Sequence, residues 1–267
     1  MSFLHILLTN DDGVYAEGIQ ALAIGLVKAD IQISIVAPDH ERSAVGHAIT
    51  MHRPLRAEKV KFLHNPDLTG IAVNGTPADC VKLAVDILLP ENPQLVISGI
   101  NRGYNLGNDV LYSGTVSAAM EACLLGIPAI AVSLADSVNP DFEPAATFIA
   151  DFIPLVAQQD IFQSALLNIN IPGVKPEEIK GVRITKLGSR LYRNPFQKRT
   201  DPRGRSYYWL AGELIDAEEK EGTDVHAVKN NYISITPVHF DLTDYQMIER
   251  MADWPSLIKR GENVERR

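Results

Sequence analysis

Cysteine is scarce: only Cys80 and Cys123 occur in 267 residues. They are far apart and each lies inside a helical pattern. Neither a disulfide framework nor a zinc site is supported, and two buried thiols suit a reducing compartment. Long apolar runs are missing as well. No stretch approaches the ~18 consecutive apolar residues of a membrane span. The start, Met1-Ser2-Phe3-Leu4-His5, has no basic leader, and its apolar run breaks at Thr9-Asn10-Asp11-Asp12. A cytoplasmic protein with no membrane partner is the expectation. Positive charge is in deficit, with a formal net charge of −8. That disfavours a nucleic-acid duplex as partner, although a metal or a few local donors can still hold a small anion. The seven histidines show no metal-binding spacing, and neither a Gly-rich Walker loop nor a nucleophile elbow is present.

What the chain does have is apolar content, 46% of its residues, enough for one large α/β domain or a domain with an extension. Strand-like runs alternate with helical patterns through the first half. Leu4–Leu8, Ile31–Val36, Ile71–Val73, Leu95–Ser98, Ala129–Leu134 and Leu166–Ile171 read as strands. Gly18–Ala29, Ala78–Leu88, Val116–Leu125 and Ala145–Gln158 read as helices. Residues 39–70 read as mixed and irregular, with short extended pieces. The expected fold is therefore a three-layer α/β/α, Rossmann-like, mostly parallel sheet over residues 1–187. Residues 188–267 read as an extension of the same single-domain unit. They carry a long hairpin, with Tyr207–Leu210 an exposed strand and Tyr232–Thr236 an alternating one, and end in a helix from Tyr245 to Met251. Exposed aromatic strands on such an arm mark subunit contacts.

Ligands of open parallel sheets bind beyond the carboxyl ends of the strands, and three polar clusters fall there. They are Asn10-Asp11-Asp12-Gly13, Asp39-His40-Glu41-Arg42-Ser43 and Ser98-Gly99-Ile100-Asn101-Arg102-Gly103. On a straight strand, adjacent aspartates point to opposite faces. Gly13 implies that the chain has already turned, which lets Asp11 and Asp12 face one point as hard oxygen ligands for Mg²⁺, Mn²⁺ or Ca²⁺. Either could equally cap the helix that follows. Asn101 could complete a metal shell or serve as a turn residue with φ > 0. In the second cluster Asp39, His40, Glu41 and Ser43 could each ligate, and chemistry alone selects none of them. Tyr112-Ser113-Gly114-Thr115-Val116 precedes an Ala-rich helix, where it could hold phosphate or supply an ordinary N-cap. Asn74-Gly75-Thr76-Pro77-Ala78-Asp79 reads as a cap, with Thr76 capping and Pro77 in the first turn.

Taken in order, Thr9–Gly13, Asn74–Cys80, Ser98–Gly103, Tyr112–Val116 and Ser234-Ile235-Thr236-Pro237 resemble the SurE survival-protein family of nucleotidases over almost the whole chain. The resemblance implies hydrolysis of nucleoside 5′- and 3′-monophosphates, with Mg²⁺ or Mn²⁺ required; the sequence leaves cleavage of short polyphosphate open. It implies metal ligation by Asp11, Asp12, Ser43 and Asn101, with Asp11 and Asp12 catalytic and phosphate oxygens received by Ser113, Gly114 and Thr115. It also implies homodimers or homotetramers joined through the carboxyl-terminal extension. Asn231 stands before Tyr232 where a glycine would be expected. Two other readings use the same residues. One is a haloacid-dehalogenase-like phosphatase forming an aspartyl-phosphate, although that chemistry wants its aspartates separated by one residue. The other is a nucleotide-binding sensor or assembly protein without turnover.

Overall fold

Residues 4–62, 65–135, 140–157, 166–193, 196–215 and 220–255 are described by a computed structural model. The first apolar run becomes β1 (His5–Thr9), buried along its whole length near the middle of a nine-stranded sheet. From β1 the chain passes through α1 (Glu17–Lys28) to β2 (Gln32–Pro38), β3 (Ala57–Phe62) and β4 (Asn65–Val73) on one side. It then crosses by α2 (Pro77–Leu83) to β5 (Leu95–Arg102) on the other side. From there α3 (Gly114–Leu124), β6 (Ala129–Leu134), α4 (Glu143–Ala157) and β7 (Leu166–Ile171) carry it outward. The spatial order reverses between β1 and β5, which both run parallel to their neighbours, with Leu8 opposite Ile35 on one side and Ile97 on the other. That reversal is the crevice where an open α/β sheet binds its ligands.

Period-two alternation divides the core into two layers. Ile6, Leu8 and Ile97 pack with Ile19, Leu22 and Leu26 of α1 and Ile149 and Ile153 of α4. Leu7, Val96 and Ala129 pack with Val81 of α2 and Val116, Ala119 and Ala122 of α3. Each fully buried leucine or isoleucine contributes roughly 1.5–3 kcal/mol, so burial anchors the strand ends that carry the polar loops. Thr76 caps α2 with the expected chemistry: it accepts from Asp79 N, and Asp79 answers through the Thr76 N–H. Cys80 and Cys123 are free and buried.

Four expectations change. Residues 57–62 and 65–73 form antiparallel strands at the sheet edge, because Val60 and Phe62 alternating with charged Lys59 and Lys61 suit a half-exposed edge. The helix expected to reach Leu88 ends at Leu83 and continues as a π turn, Ala84–Leu88. The Ala145–Gln158 helix spans Glu143–Ala157, Gln158 lying outside the described residues. Tyr232–Thr236 does not belong to the arm. It forms β13 (Ile233–Val238), antiparallel to β7 and parallel to β8 (Val182–Ile184), inside the main sheet.

The arm itself is a hairpin built from β9 (Leu191–Arg193), β10 (Phe196–Thr200), β11 (Ser206–Leu210) and β12 (Glu213–Ile215). Arg193 faces Glu213 and Phe196 faces Leu210, so both ladders keep one register. β10 and β11 are exposed on both faces. The chain returns through α5 (Asp224–Lys229) to β13 and then forms α6 (Tyr245–Arg250). Asn231, in the place of the expected glycine, takes φ 62°, a left-handed conformation that asparagine tolerates. Among the described residues no helix is long and apolar enough to cross a membrane.

Candidate active site

Past Thr9 the chain turns sharply. Asn10 closes the turn with its side chain, donating from Nδ2 to Gly13 O (2.9 Å) and accepting from Gly13 N (3.2 Å). Gly13 has φ +102°, and a Cβ there would lie 3.2 Å from the His40 backbone. Only glycine meets both conditions. The turn sends the two aspartates to different neighbours across the switch point. Asp11 reaches α3, where Thr115 Oγ1 donates to its Oδ1 at 2.5 Å. Asp12 reaches the end of β5, where Arg102 N donates to its Oδ2 at 3.2 Å. Neither is a helix cap: α1 has no side-chain cap.

Both acids sit in a place that disfavours negative charge. Asp11 is 5% exposed, and burial raises its pKa despite the Thr115 hydrogen bond. Burial first, and the Asp11 charge second, push Asp12 up to about 6. Glu41 adds repulsion to both; at Asp12 the hydrogen bond from Arg102 N opposes the rise more than Glu41 adds to it, and the Arg102 charge opposes it least. Such a pair lacks positive charge, and a hard divalent cation would supply it. Space is reserved too, since a Cβ on Gly114 would lie 2.7 Å from Asp11 Cβ and 2.9 Å from its Oδ2. Among the described residues no group of three or more His, Cys, Asp or Glu is placed to hold a metal. A cation here would therefore draw on amide and hydroxyl oxygens beside the two carboxylates.

Asn101 lies on β5 and is half-buried. It is not a left-handed turn residue; Gly99 and Gly103 take the positive φ values. Its Nδ2 donates to Gly103 O at 2.8 Å, so the amide oxygen is the atom it could offer to a cation. Ser43 is exposed, and its hydroxyl donates to Glu41 Oε1 at 2.6 Å. That bond uses its proton and keeps oxygen lone pairs for an ion. The adjacent Arg42 N donates to Asp11 O at 2.7 Å, which ties this loop to the aspartate turn. Elsewhere in this cluster Asp39 pairs with His40 and Arg42.

Ser113 is the N-cap of α3, accepting from Val116 N at 3.1 Å. Gly114 and Thr115 form the first turn, so the helix start faces the aspartates. The Thr115 hydroxyl is committed to Asp11. What this turn can offer an anion is therefore its main-chain N–H groups and the positive end of the helix.

Sequence reasoning missed the layer beneath. Asn105, Ser133, Asn168 and Asn170 are all buried and join Thr115 through hydrogen bonds. The available signal was two asparagines at alternate positions inside the apolar run Leu166-Leu167-Asn168-Ile169-Asn170-Ile171. It was read only as a buried strand.

Fold and geometry together define an open α/β protein with an oxygen-rich, acidic centre at the reversal of its sheet. The Survival protein SurE family matches residues 6–194. The 5′-nucleotidase SurE of Pelotomaculum thermopropionicum is 57% identical over 266 residues, 98% of either chain. That of Heliobacterium modesticaldum is 54% identical over 251 residues, covering 94% of this chain and 92% of the relative. The crystal structure of the SurE protein from Aquifex aeolicus superimposes with a TM-score of 0.80 at 42% identity, over 94% of this chain and 99% of that one. The chain belongs to the SurE family.

Proposed function

We propose that this protein is a divalent-metal-dependent phosphohydrolase that removes phosphate from nucleoside 5′-monophosphates. Nucleoside 3′-monophosphates and short polyphosphate are further substrates. The observation that carries the reading is the pair of buried Asp11 and half-buried Asp12 at the switch point, with too little positive charge around them. Relatives named 5′-nucleotidase at 54–57% identity support the same activity.

Asp11, Asp12, Asn101 and Ser43 would hold Mg²⁺ or Mn²⁺ through oxygen atoms. A cation bound there would polarise a phosphoryl oxygen and lower the pKa of water. The rest falls to the protein. The first-turn N–H groups of Gly114 and Thr115, behind the Ser113 cap, receive phosphate oxygens and neutralise charge on the peripheral atoms of a loose transition state. Asp12, less buried than Asp11, is the carboxylate that attacking water can reach, and it orients that water and takes its proton. No covalent nucleophile is assigned. Release of inorganic phosphate from AMP with Mn²⁺, lost on adding EDTA and lost in Asp11→Asn, is the expected result. Turnover that survives EDTA and dialysis would overturn the reading.

The protein acts in the cytoplasm as a homodimer or homotetramer. Residues 1–187 supply most of the catalytic core, and the extension within 188–267 supplies the assembly surface. Exposed Tyr208 and Trp209 on the arm and Tyr245, Ile248 and Trp254 around α6 support that assignment. Deleting residues 191–215 should lower the mass measured by light scattering, and an unchanged mass would remove the arm from the interface.

A further inference from the structure

The sheet face under α3 changes character along its strands. At their starts it presents Leu7, Val96, Ala129 and Leu166 to the helix. Nearer the carboxyl ends the same face carries Thr9, Ser98, Ser133, Asn168 and Asn170, all buried. These positions line up, with Thr9 opposite Ser98 and Ser133 opposite Asn170. Buried polar groups cost stability unless they are paired. Among the described residues Thr9 Oγ1, Ser98 Oγ and Asn168 Oδ1 have no hydrogen-bond partner. Packing alone would favour apolar side chains here, as it does lower on the same strands.

Asn105 gathers this band and connects it to the site. Its backbone N donates to Asn170 Oδ1 at 2.9 Å. Its carbonyl accepts from Asn168 Nδ2 at 2.8 Å and Asn170 Nδ2 at 3.0 Å. With its main chain held on both sides, its side-chain Nδ2 donates to Ser133 Oγ at 2.8 Å and, in a longer contact of 3.5 Å, to Thr115 Oγ1. An amide nitrogen cannot accept a hydrogen bond. The Thr115 hydrogen must therefore point elsewhere, and it goes to Asp11 Oδ1.

We propose that Asn105 is a positioning residue: braced by Asn168 and Asn170, it fixes the Thr115 hydroxyl on one Asp11 oxygen and leaves the other, beside Gly114, for the cation. This rests on reading the aspartate pair as a metal centre. Partners of this kind, one step behind a ligand, typically change metal affinity by about 10–100-fold when removed.

The test is Mn²⁺ affinity, read from the electron paramagnetic resonance signal of free Mn²⁺, in wild type, Asn105→Ala, Thr115→Val, Thr115→Ser and the double variant Asn105→Ala/Thr115→Val. Asn105→Ala and Thr115→Val should each weaken binding about 10–100-fold, and Thr115→Ser should recover most of the loss. Because Asn105 acts through Thr115, the double variant should bind no more weakly than Thr115→Val alone, within about threefold. Wild-type affinity in Asn105→Ala, or losses that multiply, would overturn the proposal. Should Asn105→Ala fail to fold, wild-type affinity in Thr115→Val would overturn it in the same way. A wild-type protein that binds no Mn²⁺ would instead overturn the metal centre and this proposal with it.

Discussion

Replacing Asp12 with asparagine should make the metal-free protein more stable. In the native state the Asp12 carboxyl is pushed from 3.8 to about 6, first by burial and then by the Asp11 charge. A raised native value means that the folded protein binds this proton more tightly than the unfolded chain does. Its contribution favours folding at low pH, and that advantage is lost as pH rises from 3.8 through about 6. At about pH 7.5 the ionised group carries the full penalty. A shift of roughly two units corresponds to about 3 kcal/mol, and partial access to water reduces the measurable part to about 1–2 kcal/mol. An amide of the same shape escapes the penalty. For a domain of this size 1 kcal/mol moves the midpoint by about 2–4 °C, so Asp12→Asn in EDTA should melt about 2–8 °C above wild type. Circular-dichroism melts at about pH 7.5 and pH 5 check this, and the gain should shrink to about half at the lower pH. Adding Mn²⁺ should reverse the order, since a ligand at 100 times its Kd adds about 2.7 kcal/mol to the protein that binds it. A variant that melts below wild type in EDTA at pH 7.5, or a gain indifferent to pH, would refute the electrostatic reasoning.

Other outcomes follow from the same geometry. Mn²⁺ affinity should fall as pH drops through about 6, by roughly tenfold per unit once Asp12 holds its proton; titrations between pH 5 and 8 measure it. Gly114→Ala would set a Cβ 2.7 Å from Asp11 Cβ, and AMP hydrolysis should fall by about 100-fold or more, since a 1 Å displacement is enough for such a loss. Asp224 is fully buried and accepts from Gly107 N, Gly188 N and Val225 N at 2.7–2.8 Å. Asp224→Ala orphans all three donors and should cost about 3–5 kcal/mol in urea denaturation.

The parts of the fold that were legible in the sequence are those where one physical signal dominates. Buried parallel strands such as Leu95–Ser98 and Ala129–Leu134 stand out as continuous apolar runs, and they fix where their carboxyl-end loops must gather. That is why the turns bearing Asp11 and Asp12, Ser43 and Asn101 could be expected at one edge. The edge strands at 57–62 and 65–73 were hidden because their charged residues mimic loop composition. β13 was misassigned because local alternation says nothing about which sheet a strand joins. Asn105 was invisible for a similar reason. Its importance comes from partners 63 and 65 positions away, Asn168 and Asn170, and neither periodicity nor capping reports such pairing. The Thr115 hydroxyl looked like an anion donor until its acceptor on Asp11 was seen.

The hairpin leaves and rejoins the core at neighbouring points. Lys186 and Thr223 form a bridge at its feet, strengthened by Asp224 N donating to Lys186 O at 3.0 Å. With both ends clamped, residues can be added or removed at the distal turn in pairs, each change altering reach by about 3.4 Å per residue of strand and costing little closure entropy. Changes of this kind would leave the catalytic edge of the sheet undisturbed. The reach of the arm and the chemistry at the sheet edge can thus drift independently during evolution, and an engineer could graft a new tip without touching the reaction.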